Sequence, residues 1–279
     1  MPSNDYSLPP HYEGDGVRLN LQGEAFRLIL DDKLLRTPIP DDFSGRVLDI
    51  GTGTGIWAWE FATEYPSSTV VGADLYEPGI SPIPENLSFQ VVDLEKTWDL
   101  PPNSFDIVHA RMFLFLLKNP QAILQKCFEA LKPGGFVEFQ EMNHPCRDED
   151  ESQPPSSIVR NSLARVTGAA NCGFDWRLSS YLPEEVKKVN FEDVQFADYK
   201  FPIGPYLEDE RMKKVGEKYM ECYRLGVIDF SKTSLMKGLG WTEEQVLEGA
   251  REVRADLGKV KAYSSIRVTS GKKPIAAAA

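Results

Sequence analysis

Val47-Leu48-Asp49-Ile50-Gly51-Thr52-Gly53-Thr54-Gly55 sets an acidic residue and three alternating glycines at the end of a short apolar run. Glycine is needed where a turn is tight and the backbone must approach a ligand closely, so this stretch reads as a strand delivering its carboxyl end to a bound small molecule. The spacing is not the dinucleotide G-x-G-x-x-G, because Ile56 takes the final position, and the Gly-Lys-Ser/Thr of a P-loop is missing. Asp74 closes the next apolar run 19 residues beyond Gly55, where a carboxylate can accept both hydrogen bonds of a ribose diol. Asp93 follows a third run and is placed to take an adenine amino group, with Leu94 covering the ring.

Proton transfer would fall to one of three histidines, His11, His109 and His144. His109 ends one predicted strand and His144 follows another, both at the carboxyl edge where open α/β sheets bind ligands; His144 leaves its strand toward the expected acceptor. These two are the candidate catalytic residues. His144-Pro145-Cys146 has no further clustered ligands, so no metal centre is expected. Trp57, Phe113, Phe115, Phe174, Trp176 and Tyr181 are candidates for an apolar acceptor pocket.

The elements that must position these groups alternate in type. Strands are predicted at Arg46–Ile50, Thr69–Asp74, Leu87–Val92, Phe105–His109 and Phe136–Phe139, with helices at Ile56–Tyr65 and Pro120–Leu131. Apolar strands separated by helices imply βαβ crossovers and a doubly wound, mostly parallel sheet. The spacing Leu21, Ala25, Leu28, Ile29 predicts a helix from Val17 to before Thr37 that carries Arg18 and Gln22 on another face. Residues 1–16 read as an extended N-terminal arm, 17–144 as a Rossmann-like core, 145–190 as linker and cap helices, and 191–274 as two late edge strands enclosing a helical lid at about 205–258. The arm around Tyr12, the Arg18 helix and this insertion are expected to close together over the site.

Of the 279 residues, 42% are hydrophobic and 26% charged, ordinary globular usage. The net charge of −11 repels phosphate backbones and anionic surfaces, which disfavours nucleic-acid and membrane partners. No membrane-length apolar run or leader-like start is seen, and four scattered cysteines without a C-x-x-C pair fit free thiols. A cytoplasmic or nuclear location is expected.

The D-x-G-x-G-x-G loop, Asp74, Asp93 and Leu131-Lys132-Pro133-Gly134-Gly135 resemble a class I S-adenosylmethionine-dependent methyltransferase. Glu13–Gln22, Gly51–Trp57, His109-Ala110-Arg111, Pro202–Pro205, Leu239-Gly240-Trp241 and Gly271–Pro274 resemble the LaeA-like methyltransferases of filamentous fungi, over roughly residues 12–274. The resemblance implies a seven-stranded fold with the last strand antiparallel and S-adenosylmethionine as methyl donor, leaving S-adenosylhomocysteine. The implied cofactor set is Tyr12, Arg18, Gln22, Asp49, Gly51, Thr52, Gly53, Gly55, Asp74, Leu75, Asp93, Leu94, His109, Ala110 and Arg111. Arg18 and Gln22 match a helix that lies over the methionine end of the cofactor; relatives often carry His just after that Gln, where this chain has Gly23-Glu24. Such families contain biosynthetic tailoring enzymes and regulators. The expected function is methyl transfer to a small, partly apolar metabolite; a LaeA-type regulator acting through a protein partner and a fold-mate catalysing a cyclisation are the alternatives, and a homodimer is compatible with each.

Overall fold

The computed structural model describes residues 15–96 and 98–275. Its sheet contains β1 (Arg46–Ile50), β2 (Thr69–Asp74), β3 (Leu87–Val91), β4 (Phe105–Arg111), β5 (Leu131–Asp148), β6 (Glu192–Pro202) and β7 (Ala262–Lys272) in the order β3-β2-β1-β4-β5-β7-β6. β1 to β5 pair in parallel, and β7 runs antiparallel to both β5 and β6. Val47, Leu48 and Ile50 of β1 and Ile107 and Val108 of β4 are fully buried, as strands covered on both faces must be. The chain winds outward from β1 to β3 and returns to β4 on the other side. The crevice beyond the carboxyl ends of β1 and β4 is therefore the topological switch point, where such sheets hold ligands.

Helices α1 (Asp15–Ile29), α2 (Ile56–Glu64), α3 (Pro120–Ala130), α4 (Ser157–Asn171), α5 (Leu182–Lys188), α6 (Glu210–Ser231) and α7 (Glu243–Asp256) complete the fold. Their starts are written in local chemistry. Asn119 accepts from the Ala122 N–H and Ser156 from Val159, Asp209 accepts from Met212, and Thr242 and Gln245 form a reciprocal capping box. Lys273, in the closing motif, satisfies the other end of α3: its Nζ donates to the carbonyls of Phe128 and Leu131 at 2.7 and 2.8 Å.

The cap is built by α1, α4, α6 and a π-helical turn, Lys232–Gly238, that continues α6. Ala25 and Phe26 of α1 share an apolar cluster with Val215, Tyr219, Cys222 and Tyr223 of α6 and with Ile266 of β7. Glycines allow two close crossings. A Cβ on Gly216 would lie 2.1 Å from the Gly204 carbonyl oxygen, and one on Gly168 would lie 2.0 Å from that of Ser234.

Several expectations are corrected. Residues 15 and 16, expected in the arm, belong to a helix described over Asp15–Ile29, which ends well before Thr37; the rest of the expected arm, with Tyr12, lies outside the described residues. β7 is not an edge strand, because it inserts between β5 and β6. The strand expected at Phe136–Phe139 extends to Asp148 because β7 pairs with it throughout, interrupted only by a register shift between Asn143 and Arg147. His144 therefore lies within β5, at a bulge, a feature that re-aims side chains.

Candidate active site

A cavity of about 550 Å³ opens at the carboxyl end of the sheet. Arg18, Gln22, Asp49, Gly51, Thr52, Gly53, Asp74, Leu75, Leu94, Arg111 and His144 line it, as do Trp57, Phe113, Phe115 and Trp176. Its cofactor-side wall is the loop after β1. Gly51, Gly53 and Gly55 have φ of +67°, +60° and +79°, left-handed values that favour glycine. The Gly51 N–H donates to Ala73 O at 2.8 Å, and Gly53 N–H donates to Asp74 Oδ2 at 2.8 Å, so the loop is tied to the end of β2. A Cβ on Gly51 would meet the Phe113 ring at 2.3 Å.

Strand register explains the next contact. Asp49 pairs with His109 across β1 and β4, and neighbours in register project to the same face. Asp49 Oδ1 meets His109 Nδ1 at 2.7 Å, while its Oδ2 accepts from Thr52 Oγ1 at 2.6 Å. The His109 ring is fully buried and stacks on Trp57 with centroids 3.7 Å apart. It does not line the cavity. The expectation of a catalytic His109 is therefore withdrawn, because its ring is enclosed between Trp57 and Asp49 and orients the carboxylate.

Three further expected cofactor residues lie off the wall. Gly55 is the α2 cap, enclosed by Phe89 and Pro78. Ala110 is buried in the core beside Val108. Asp93 turns to Lys96 at 2.9 Å and accepts from the Glu95 N–H at 3.2 Å, an Asx turn that leaves Val92 and Leu94 to face the cavity. Phe174 packs behind Phe115, and Tyr181 donates to Asp175; neither lines the cavity.

Two cations, buried Arg18 and half-buried Arg111, mark different parts of the wall. Arg18 pairs with Asp15, its Nη2 3.0 Å from Oδ2, and lies over the Phe230 ring at 4.8 Å. The guanidinium of Arg111, at the end of β4, has no hydrogen bond or ion pair among the described residues and lies 5.4 Å from the Phe26 ring centroid. Burial lowers its pKa from the usual arginine value. A half-buried guanidinium at a cavity wall with no side-chain partner is a ready carboxylate site.

The far wall was not legible beforehand except for His144, Phe115 and Trp176. Met142, Arg165, Tyr219, Tyr223 and Phe230 come from β5, α4 and α6. His144 packs 5.2 Å from Trp176 and 5.7 Å from Phe115, and both ring nitrogens are buried without a hydrogen-bond partner. Burial, assisted by the charge of Arg165, lowers its pKa to about 3. The imidazole is thus neutral at physiological pH and a weak base.

Glu141, earlier on β5, holds the cavity wall without lining it. Its Oε1 accepts from the Phe113 and Leu114 N–H groups at 3.0 and 2.8 Å, and its Oε2 has no partner. Burial pushes its pKa up from 4.5 to about 7. The unfolded chain therefore releases this proton first as pH rises, so Glu141's contribution to stability should be lost between pH 4.5 and 7, by about 3 kcal/mol. His144 has the opposite sign between pH 3 and 6.5, because there the unfolded chain binds the extra proton. Subtracting the stability–pH profile of Glu141→Gln from that of the parent protein isolates the falling component; parallel profiles would show that Glu141 has no such shift.

The sequence profile of a methyltransferase domain matches residues 21–196. The chain is 29% identical over 239 residues to methyltransferase pytC of Aspergillus terreus, covering 85% of this chain and 73% of that protein. It is 27% identical over 274 residues to the secondary metabolism regulator LAE1 of Cochliobolus heterostrophus, covering 95% and 89%. Among solved structures, Haemonchus contortus phosphoethanolamine N-methyltransferase 2 with S-adenosylhomocysteine superimposes with a TM-score of 0.52 at 19% identity, covering 90% of this chain and 53% of that longer one, a likeness of fold alone. The chain belongs to the methyltransferase-domain family.

Proposed function

We propose that this methyltransferase uses S-adenosylmethionine to methylate a small, partly apolar acceptor of secondary metabolism. The observation that carries this reading is one continuous cavity with a glycine loop and Asp74 at one end and aromatic walls with buried polar groups at the other. The donor fits the residues present. Gly51, Thr52 and Gly53 present the loop to the cavity, Asp74 stands beside that loop for a ribose diol, Leu75 and Leu94 offer apolar cover for a purine, and Arg111 can take a methionyl carboxylate under the Arg18–Gln22 helix. Asp49 and His109 act behind the loop, holding Thr52. When bound, S-adenosylmethionine supplies an electrophilic methyl group on a sulfonium.

What remains for the protein is alignment and exclusion of water. Met142, Phe115, Trp176, Tyr219 and Phe230 confine the acceptor, and the cap formed by α1, α6 and the π turn covers it. The segment 205–258 serves as lid in this reading. His144 offers a neutral imidazole that orients the acceptor by hydrogen bonding. Among the described residues, no helix is long and apolar enough to cross a membrane and no cluster of potential metal ligands occurs.

Calorimetry tests this reading. One equivalent of S-adenosylhomocysteine should bind, and Asp74→Ala should weaken it more than tenfold, about 1.4 kcal/mol. Absence of binding to the folded protein would reject the assignment. The likeness to LAE1 favours one second reading, a regulator acting through a protein partner. Cofactor binding, no turnover on any small metabolite and stable co-purification of a transcription-associated protein would identify that role.

A further inference from the structure

We propose that the acceptor carries an oxyanion, a carboxylate or ionised phenol, and that Arg165 is the residue that selects it. The inference deepens the proposed methyl transfer and rests on it. Arg165 of α4 is 2% exposed yet lines the cavity. Its Nη2 donates to Tyr223 Oη, its Nε is buried without any partner, and no carboxylate lies within ion-pair distance among the described residues. Three aromatic faces stand around the guanidinium: Tyr223 at 5.4 Å, Trp176 at 5.9 Å and Phe230 at 5.9 Å.

Aromatic faces attract a cation but leave its N–H groups unbonded. A buried charge is ordinarily paired, and one left without a counter-ion is costly. Two more unsatisfied groups meet it on the same wall. Trp176 Nε1–H is buried with no acceptor, and both nitrogens of the His144 ring lack partners. Three unsatisfied polar side chains, from β5, α4 and the segment that follows α4, share the wall of one cavity and form an anion subsite, with Arg165 supplying charge and Trp176 and His144 supplying direction.

This subsite differs in position from the cofactor's own cation sites. Arg165 belongs to α4 and lies 5.9 Å from the Phe230 ring, whereas Arg18 belongs to α1, lies 4.8 Å from the same ring and is paired with Asp15. An acidic protein of net charge −11 also repels anions over its surface, so a buried unpaired guanidinium is an effective way to select one. An acceptor that enters already ionised requires no strong base, consistent with the weak basicity of His144.

The test titrates the S-adenosylhomocysteine-loaded protein with matched pairs: benzoate, cinnamate, 2-naphthoate and octanoate against their amides, and 4-nitrophenol, ionised at pH 8, against 4-nitroanisole. At least one anion should bind ten or more times tighter than its neutral partner; preference in the acid–amide pairs identifies a carboxylate site and preference in the phenol pair a phenolate site. Arg165→Gln should abolish that preference while leaving S-adenosylhomocysteine affinity within twofold. Arg165→Lys should retain part of it, which excludes misfolding as the cause. Equal binding within every pair, or preference surviving in Arg165→Gln, would overturn the inference and leave the methyl-transfer reading standing. A tenfold loss of S-adenosylhomocysteine affinity in Arg165→Gln would instead assign Arg165 to the cofactor, also overturning it. If the unsubstituted protein fails to bind S-adenosylhomocysteine, the proposed function falls and this inference falls with it.

Discussion

Gly51→Ala is expected to weaken S-adenosylhomocysteine binding by more than a hundredfold, about 2.7 kcal/mol, while the protein remains folded. Two effects combine. The left-handed backbone at φ +67° costs an L-residue roughly 1–2 kcal/mol, and the added Cβ would lie 2.3 Å from the Phe113 ring. That ring cannot simply retreat, because the Phe113 N–H is held by Glu141 and the segment continues into the buried turn Leu114–Leu116. Relief must come from the loop, which is the surface that meets the cofactor. Gly53→Ala is the internal comparison. It bears the same kind of backbone cost at φ +60°, but its Cβ would find nothing nearer than Leu19 Cδ1 at 3.8 Å, so the loss of affinity should be about tenfold. Calorimetry on both variants, with circular dichroism as the check on folding, decides the matter. Similar affinities for Gly51→Ala and the parent protein would show that the loop is not the cofactor's cradle.

Gly168→Ala should cost about 2–3 kcal/mol of stability. Its Cβ would lie 2.0 Å from the carbonyl oxygen of Ser234 and 2.7 Å from its carbon, and backbone atoms cannot rotate away. The contact is reciprocal: a Cβ on Gly238 would lie 2.0 Å from the Gly168 oxygen. Both variants must separate α4 from the π turn, and the bond from Asn171 Nδ2 to Gly238 O at 2.9 Å would be lost with that separation. The double variant should therefore cost less than the sum of the two. Gly79→Ala, whose Cβ meets nothing within 4 Å, serves as the control. Urea unfolding measures these four variants beside the parent protein. Unchanged midpoints for Gly168→Ala would mean that the crossing is looser than described. Because Lys232, Thr233 and Lys237 of the π turn line the cavity, the same change should also raise the KM for the acceptor.

What could be read without the fold was local. The apolar runs of β1, β2 and β4 and the glycine loop follow from rules that act within a few residues: two-sided burial for parallel strands, and left-handed backbone for glycine. Asp74 was legible for the same reason, since it ends the strand beside that loop. The antiparallel final strand and the cofactor itself entered through resemblance, not through periodicity. Tertiary structure decided the remainder. His109 and Asp49 lie sixty residues apart, and only the β1–β4 register turns the imidazole away from the cavity toward the carboxylate. His144 was expected beyond its strand because the pairing partner that prolongs β5, β7, comes more than a hundred residues later. Arg165, Trp176 and Tyr223 carry no spacing signal at all. Each occurs in an ordinary amphipathic or aromatic setting, where a long side chain serves a core equally well. Their meeting depends on how α4 crosses the end of α6, a crossing set by the absence of two Cβ atoms at Gly168 and Gly238. Motifs are encoded in backbone conformation over a handful of residues, whereas the acceptor wall is encoded in the packing of helices distant in sequence, and that packing exists only in the folded chain.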